Sequence, residues 1–235
     1  MHDGDLILKT DWDLILKTGD KINVRQSVTQ DLSPAAEYAM INENGKGRRC
    51  VEKVQRIAEE YRRLSPVGTG IIALDGRSAA GKTTLAGLLA AALNGAVVHT
   101  DDFFLPPELR TAQRLAAPGG NVHIERFAEE VLPYLRQGKP FCYRRFDCHA
   151  MDYADEMVVP AAPVIIVEGA YSCHPLFGHY ADLTVFCDID PQEQERRIRS
   201  RNGEAGWQIF RERWIPLEES YLREYRIKEN ADLVV

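Results

Sequence analysis

The sequence predicts a three-layer α/β fold: a mainly parallel sheet covered by helices on both faces, with a helical lid and an N-terminal extension. Three observations predict it. From residue 70 onward, strand-like and helix-like segments alternate, the pattern of consecutive βαβ units. The strand-like segments are continuous apolar runs such as Val164-Ile-Ile-Val167, as expected of strands buried on both faces. The first of these runs also passes through a glycine-bearing turn straight into a helix.

The elements follow in order. In residues 1–30, Asp5-Leu-Ile-Leu-Lys-Thr10 recurs as Asp13-Leu-Ile-Leu-Lys-Thr18. Two copies are too few for a solenoid. They read as two short β segments, with Gly19-Asp20 turning the second into Lys21–Arg25, or equally as a duplicated leader. Residues 49–64 read as a helix, because Val51, Val54, Ile57, Ala58, Tyr61 and Leu64 recur at steps of three and four. Ser65-Pro66 and Gly68 end it. This helix is expected to pack on the core, with partner binding as the alternative. Residues 1–69 are thus taken as the extension and 70–235 as the main domain. Strands are expected at 70–75, 96–100, 141–146, 164–167 and 183–189, with a last one at 231–235. Helices are expected at 82–93, stopped by Asn94-Gly95, at 124–137 with a kink at Pro133, and at 191–201 and 207–226.

Composition narrows the function. The chain has 235 residues, 45% hydrophobic and 27% charged, with a formal net charge of −6. That charge argues against a general nucleic-acid binder. The apolar runs are too short to cross a bilayer, and the first residues lack the basic and apolar regions of a signal peptide. A cytoplasmic location is expected. Five cysteines without a C-x-x-C read as reduced thiols, and neither Cys148-His149 nor Cys173-His174 has a zinc-site partner at the usual spacing.

The chemistry concentrates at Gly76-Arg-Ser-Ala-Ala-Gly-Lys-Thr-Thr84. This is G-x-x-x-x-G-K-[ST] between a strand and a helix, which makes the expected class a P-loop NTPase fold. Gly76 and Gly81 allow the turn that points successive N–H groups of Arg77, Ser78, Ala79 and Ala80 at phosphate oxygens. The helix opening at Lys82 adds its positive end. Lys82 can reach the β- and γ-phosphates, the Thr83 hydroxyl can hold Mg²⁺, and Thr84 completes the cradle. The competing reading is a strand–helix turn with no ligand.

Parallel α/β sheets place ligands at the C-terminal ends of their strands. Asp75, the pair Asp101-Asp102, and Glu168 all fall at such ends. Glu168 is expected on the metal side of the phosphates. One of Asp101 and Asp102 can accept the proton of an acceptor hydroxyl, and Phe103 and Phe104 can wall its pocket. Each acid could instead be a solvated strand-end residue. Arg196, Arg197, Arg199, Arg201, Arg211 and Arg213 follow the last long strand. Some are expected to cover transferring phosphates, Arg197 and Arg201 first, and others to pair with neighbouring glutamates.

With these residues in view, the chain resembles the uridine kinase, phosphoribulokinase and bacterial pantothenate kinase group of P-loop kinases. The matching segments are Asp75–Thr84, His99-Thr-Asp-Asp-Phe-Phe104, Gly120–Phe127, Arg145–His149, Val167-Glu-Gly-Ala170 and Arg196–Gly203. The resemblance implies that Asp101 is the catalytic base and stands near the metal, with Asp102 the variable position beside it. It implies that Thr83 and Glu168 are the metal-side residues and that Arg197 and Arg201 approximate the lid arginines. Asp102, Phe104, His123, Phe146 and His149 fall on the acceptor side. Uridine kinases carry an aspartate where this chain has His123, and their uracil-framing Tyr and His find only Phe146 and a shifted His149. The expected activity is transfer of the γ-phosphoryl group of ATP, with Mg²⁺, to a hydroxyl, a nucleoside being the leading acceptor. A nucleoside-monophosphate kinase and a degenerate ATP-binding module are the alternatives. A guanine-reading Asn-Lys-x-Asp and a transporter-type Ser-Gly-Gly signature are both absent. Expected partners are a nucleotide and a small-molecule substrate, neither nucleic acid nor membrane, with a homo-oligomer left open.

Overall fold

The computed structural model describes residues 45–148 and 150–235. The hexapeptide repeat and His149 lie outside the described residues.

Five parallel strands form the central sheet: β1 (Gly70–Gly76), β2 (Ala96–His99), β5 (Val164–Glu168), β6 (Leu183–Cys187) and β7 (Leu233–Val234). Their spatial order is β2-β5-β1-β6-β7. An antiparallel hairpin, β3 (Phe141–Asp147) and β4 (Asp152–Val159), is inserted in the chain between β2 and β5. Every residue of β1 and β5 is buried, as the unbroken apolar runs require.

Helices cover both faces. On one, α1 (Gly45–Leu64) and α2 (Lys82–Leu93) pack together over the sheet. Val54, Ile57, Ala58 and Tyr61 of α1 meet Leu85, Leu88 and Leu89 of α2 above Ile72, Leu74 and Ile166. The period seen at 49–64 is therefore a core-facing stripe. On the other face lie α3 (Ala112–Ala116), α4 (Ile124–Glu130), the hairpin and the C-terminal helices, around Phe103, Phe127, Tyr143, Phe177 and Tyr221.

Several elements differ from the sequence reading. The helix expected over 124–137 ends at Glu130, and Pro133 stands in the turns beyond. A proline there has no N–H to give and would crowd the carbonyl four residues back, so the chain leaves the helix rather than kinking. The second strand stops at His99, and Thr100–Phe103 forms a 3₁₀ turn. Strand β4 has no counterpart in the sequence reading, and β7 keeps only two residues. The arginine-rich region opens with α5 (Pro191–Ile209), capped by Asp190, whose carboxylate accepts from the N–H groups of Gln192 and Glu193. Gly203, at φ 69° and ψ −175°, breaks that helix. The chain then runs through a π-turn at Phe210–Trp214 into α6 (Ile215–Glu224) and a short α7 (Ile227–Asn230). Ile215 N–H bonds Phe210 O, five residues back. The wide turn accommodates Pro216, which could not have been placed in an unbroken α-ladder. Among the described residues no helix is long and apolar enough to cross a membrane.

Candidate active site

The phosphate loop is fixed by how closely β1 and β6 approach. Gly76 pairs with Cys187 and has φ 132°; a Cβ there would lie 2.2 Å from Cys187 O. Only glycine fits. The loop returns through Gly81 at φ 92°, which caps α2 without a side-chain hydrogen bond. The N–H groups of the first turn, including Lys82, Thr83 and Thr84, have no partner within the helix and are available to an anion. Lys82 folds back along the loop, its Nζ donating to Gly76 O at 2.8 Å and Arg77 O at 3.0 Å.

The sheet register brings the acids to this loop. Glu168 lies opposite Leu74 on one side and His99 on the other. Glu168 is 3% exposed; its carboxylate accepts from Thr83 Oγ1, at 3.1 and 3.3 Å to its two oxygens, and also meets His99 Nδ1. Thr100 ties the end of β2 to the same place through hydrogen bonds to Glu168 O and Ala170 O. Gly169 makes room for that contact, since a Cβ there would sit 2.0 Å from Thr100 Oγ1.

Asp101 and Asp102 part company at this point. Asp101 is exposed, beside Gly169, within electrostatic reach of Glu168, Lys82 and His99. The protein crowded around its carboxyl, and then the Glu168 charge, raise its pKa above the ordinary aspartate range, while Lys82 opposes. Asp102 turns inward, 2% exposed, and accepts from Tyr143 OH at 2.9 Å. Asp75 is also buried and braces the fold. It accepts from the N–H groups of Gly76, Tyr171 and Cys173 and from Tyr221 OH. Burial raises its pKa despite those donors.

The outer curve of the loop is clasped by side chains that the sequence reading does not single out. Glu218 accepts from Ser78 N–H at 3.0 Å and from the Ser78 hydroxyl. Glu219 takes Arg77 in a two-point pair at 2.6 and 3.3 Å, and Asp188 holds the other side of that guanidinium. Gln194 donates to Ser78 O at 3.0 Å. Burial raises the Glu218 pKa, with Lys82 and Ser78 opposing. Only the heavy burial of Glu218 sets it apart from the solvated acids on these helices, and burial is a tertiary property. Arg77 therefore braces the loop with its side chain.

The two expected lid arginines differ. Arg197 reaches the loop, donating to Ala79 O at 3.0 Å while pairing with Glu193. Arg201 is exposed, bonds Asn202 and lies over the Phe210 ring, with Asp101 and Glu218 within electrostatic reach. Beside this region opens a cavity of about 320 Å³. Its apolar wall is Phe104, Leu115, Trp214 and Leu217. Arg110, Asn121, Glu212 and Arg213 supply the polar part. Of the acceptor-side residues expected from sequence, Phe104 lines this cavity. Phe146 is 3% exposed and packs edge-on against Tyr153. His123 caps α4, its backbone N–H donating to Phe103 O at 2.7 Å. Its ring is half-buried, and burial first, then Arg126, lowers its pKa.

Among the described residues no group of three or more His, Cys, Asp or Glu is placed to hold a metal ion. The Thr83 hydroxyl and the Glu168 carboxylate are hard oxygen donors in contact with one another. That donor set suits Mg²⁺, which takes one or two protein oxygens and completes its shell with phosphates and water. The thiols are poor ligands here. Burial pushes Cys148 up to about 12 and Cys187 up to about 11.

No family model matches the chain, and no curated protein matches its sequence. Solved structures do match. A Bacillus stearothermophilus protein provisionally named a uridine kinase is 18% identical with a TM-score of 0.63; the match covers 79% of this chain and 98% of that one. A Silicibacter sp. TM1040 protein provisionally named a fructose transport system kinase is 23% identical with a TM-score of 0.57, over 79% of this chain and 98% of that one. The chain has a three-layer, P-loop NTPase-like α/β fold, which it shares with these two structures.

Proposed function

We propose that this protein is a kinase that transfers the γ-phosphoryl group of ATP to a hydroxyl of a small molecule. One observation carries the reading. An exposed carboxylate, Asp101, stands within electrostatic reach of the phosphate-loop lysine and of Glu168, while its neighbour Asp102 is buried and hydrogen-bonded. A binding module has no use for a carboxylate held ready in that position; a phosphotransferase does.

The chain's residues divide the work. The first-turn N–H groups of α2 and the Lys82 ammonium hold the phosphates and balance charge as it builds on them. Thr83 and Glu168 would hold Mg²⁺, which when bound neutralises and orients the phosphates. Arg197, which donates to Ala79 O on the loop, would meet the transferring group. Asp101 accepts the proton of the acceptor hydroxyl. The acceptor oxygen forms the new bond to the γ-phosphorus. The bond from that phosphorus to the bridging oxygen breaks, and its electron pair leaves with ADP.

A nucleoside is the leading acceptor from the sequence. The cavity wall supports a flat acceptor, because the Phe104 and Trp214 rings meet edge-to-face at 6.1 Å and offer surfaces for stacking. The names of the two structural relatives place a nucleoside and a sugar in the panel to test. The test is an ADP-release assay with Mg-ATP over nucleosides and sugars, on the native chain and on Lys82→Ala and Asp101→Asn. Acceptor-dependent release that both substitutions abolish is expected. Release that either variant leaves intact would remove the assignment.

A further inference from the structure

We propose that His99 is a positioning residue for the metal side: its ring N–H holds one oxygen of the Glu168 carboxylate, so that the acid meets Mg²⁺ already oriented. This rests on the kinase reading above and adds to it the residue that prepares Glu168.

Strand register brings the pair together. His99 ends β2 directly opposite Glu168, the last residue of β5. Side chains alternate between the two faces along a strand. Val97 and Ile166, two residues earlier, pack into the core under α1 and α2. His99 and Glu168 therefore emerge on that same face, where Thr83 stands in the first turn of α2. Nδ1 of His99 meets Oε1 of Glu168, and Thr83 Oγ1 lies 3.1 and 3.3 Å from the two carboxylate oxygens. The imidazole is also within electrostatic reach of Asp101, the proposed base.

The strand itself does not need this contact. β2 pairs with β5 from Ala96 to His99, and the Thr100 hydroxyl already ties its end to Glu168 O and Ala170 O. The carboxylate does need it. Only 4% of the Glu168 side chain is exposed, so it has given up most of its water. A carboxylate out of water requires hydrogen-bond donors. Thr83 has one hydroxyl proton for two oxygens, and His99 supplies a second donor from the side of β2. Carboxylates that meet a metal are themselves hydrogen-bonded, and these outer partners fix the direction of the ligand oxygens.

His99 is not itself placed as a ligand. Its Nδ1 is turned to Glu168, and among the described residues no three His, Cys, Asp or Glu side chains are grouped to hold a metal ion. The Thr83 hydroxyl can donate its proton to Glu168 while its lone pairs serve an ion. Neither contact to Glu168 has to break for a metal to bind.

Mn²⁺ is the probe, since it takes the same oxygen ligands as Mg²⁺ and the free ion is read by electron paramagnetic resonance. Its affinity for the full chain in saturating ADP is measured on the native protein, His99→Leu and His99→Asn. ADP affinity in EDTA and the melting temperature are measured beside it. Asparagine puts an amide N–H near the place of Nδ1, whereas leucine has similar bulk and no donor. His99→Leu is expected to weaken Mn²⁺ by about tenfold or more, the scale of losing an outer partner, while His99→Asn stays within about threefold. Metal-free ADP affinity should not distinguish the three. In ADP release, the deficit of His99→Leu should shrink as Mg²⁺ is raised. Should His99→Leu not fold, His99→Gln, whose amide lies one bond farther out, takes its place with the same expectation. Mn²⁺ affinity unchanged in that variant would overturn the proposal. So would equal losses in His99→Leu and His99→Asn, or nitrogen hyperfine coupling in the native Mn²⁺ spectrum, which would make His99 a ligand. A native chain that takes up no Mn²⁺ with ADP would remove the metal side and the proposal together. Native uptake without ADP release for any acceptor would overturn the kinase reading, while the Mn²⁺ series still decides on His99.

Discussion

The proposed donor and acceptor halves of the site are built by different means. Around the phosphates, each group sits at the end of a sheet strand or in the first turn of a helix. Register sets the positions: Gly76 against Cys187, and Glu168 between Leu74 and His99. The cavity proposed for the acceptor draws instead on residues 104–121 and 212–217, a 3₁₀ turn, a short helix and a π-turn, with no strand among them. Phosphate chemistry is the same for every acceptor, and fixed backbone N–H directions serve it. Acceptor recognition depends on side chains carried by helices and loops, which can change without disturbing the sheet.

The largest effect should come from the donor half. Lys82→Ala is expected to lower kcat by about 10²-fold or more, as losing a charge-stabilising contact does. A turnover close to native would mean the loop does not act on the transferring phosphate.

Asp101 and Asp102 test the boundary between the halves. Asp101→Asn should cut turnover by about 10²-fold or more while ATP still binds. Its melting temperature should hold or rise, because the fold disfavours the ionised Asp101 carboxyl. Asp102→Asn should do the reverse, keeping most turnover and losing about 1–3 kcal/mol of stability as the buried bond to Tyr143 weakens. Acceptance of a proton needs ionised Asp101, so kcat/KM falls as pH drops through its pKa. That pKa is raised, so the acid limb should lie above the range of an ordinary aspartate. Thermal melts and pH–rate profiles on the two variants check this, and exchanged phenotypes would assign the base to Asp102.

A smaller effect should separate acceptor from donor. Trp214→Ala is expected to raise the acceptor KM about tenfold, as losing an apolar pocket wall does, with a lesser change in the ATP KM. An equal rise in both constants would show that the cavity is part of the nucleotide site.

The smallest contrast lies within the arginine cluster. Arg197→Gln should slow transfer by about threefold to tenfold, since its guanidinium sits on the loop. Arg196→Gln should leave turnover and melting temperature unchanged, since Arg196 pairs with Glu193 in solvent. Similar losses in both variants would point to the net charge of α5 rather than to one contact.

Much of the donor half is legible in the sequence because its determinants are local. The loop motif fixes the backbone, and an acid after an apolar run marks a strand end. The acceptor half is not. Phe104 and Trp214 are 110 positions apart in sequence, and only the folded chain brings their rings together. Phe146 has the composition of a pocket wall, but its place in β3 turns it toward Tyr153. Strand β4 leaves little trace in the sequence because most of its side chains are partly or fully exposed, with no apolar alternation to read. Glu218 belongs to an arginine-rich region where acids ordinarily face water, and its burial depends on contact with Ser78. Residues 124–130 are helix as their pattern predicts, but Pro133 enforces an end where the sequence suggests a kink.

The start of α6 has a consequence for how the two substrates communicate. Pro216 and Leu217 wall the acceptor cavity, Glu218 and Glu219 grip Ser78 and Arg77 of the phosphate loop, and Tyr221 holds Asp75 at the end of β1. One short run of residues thus touches both halves, and a helix transmits displacement along its axis because its backbone ladder is stiff. On the proposed kinase reading, an acceptor that favours one setting of this helix would change the affinity of the loop for nucleotide, and nucleotide would change the affinity for acceptor by the same factor. On that reading, less than two turns of helix would carry the energetic coupling between the two substrates.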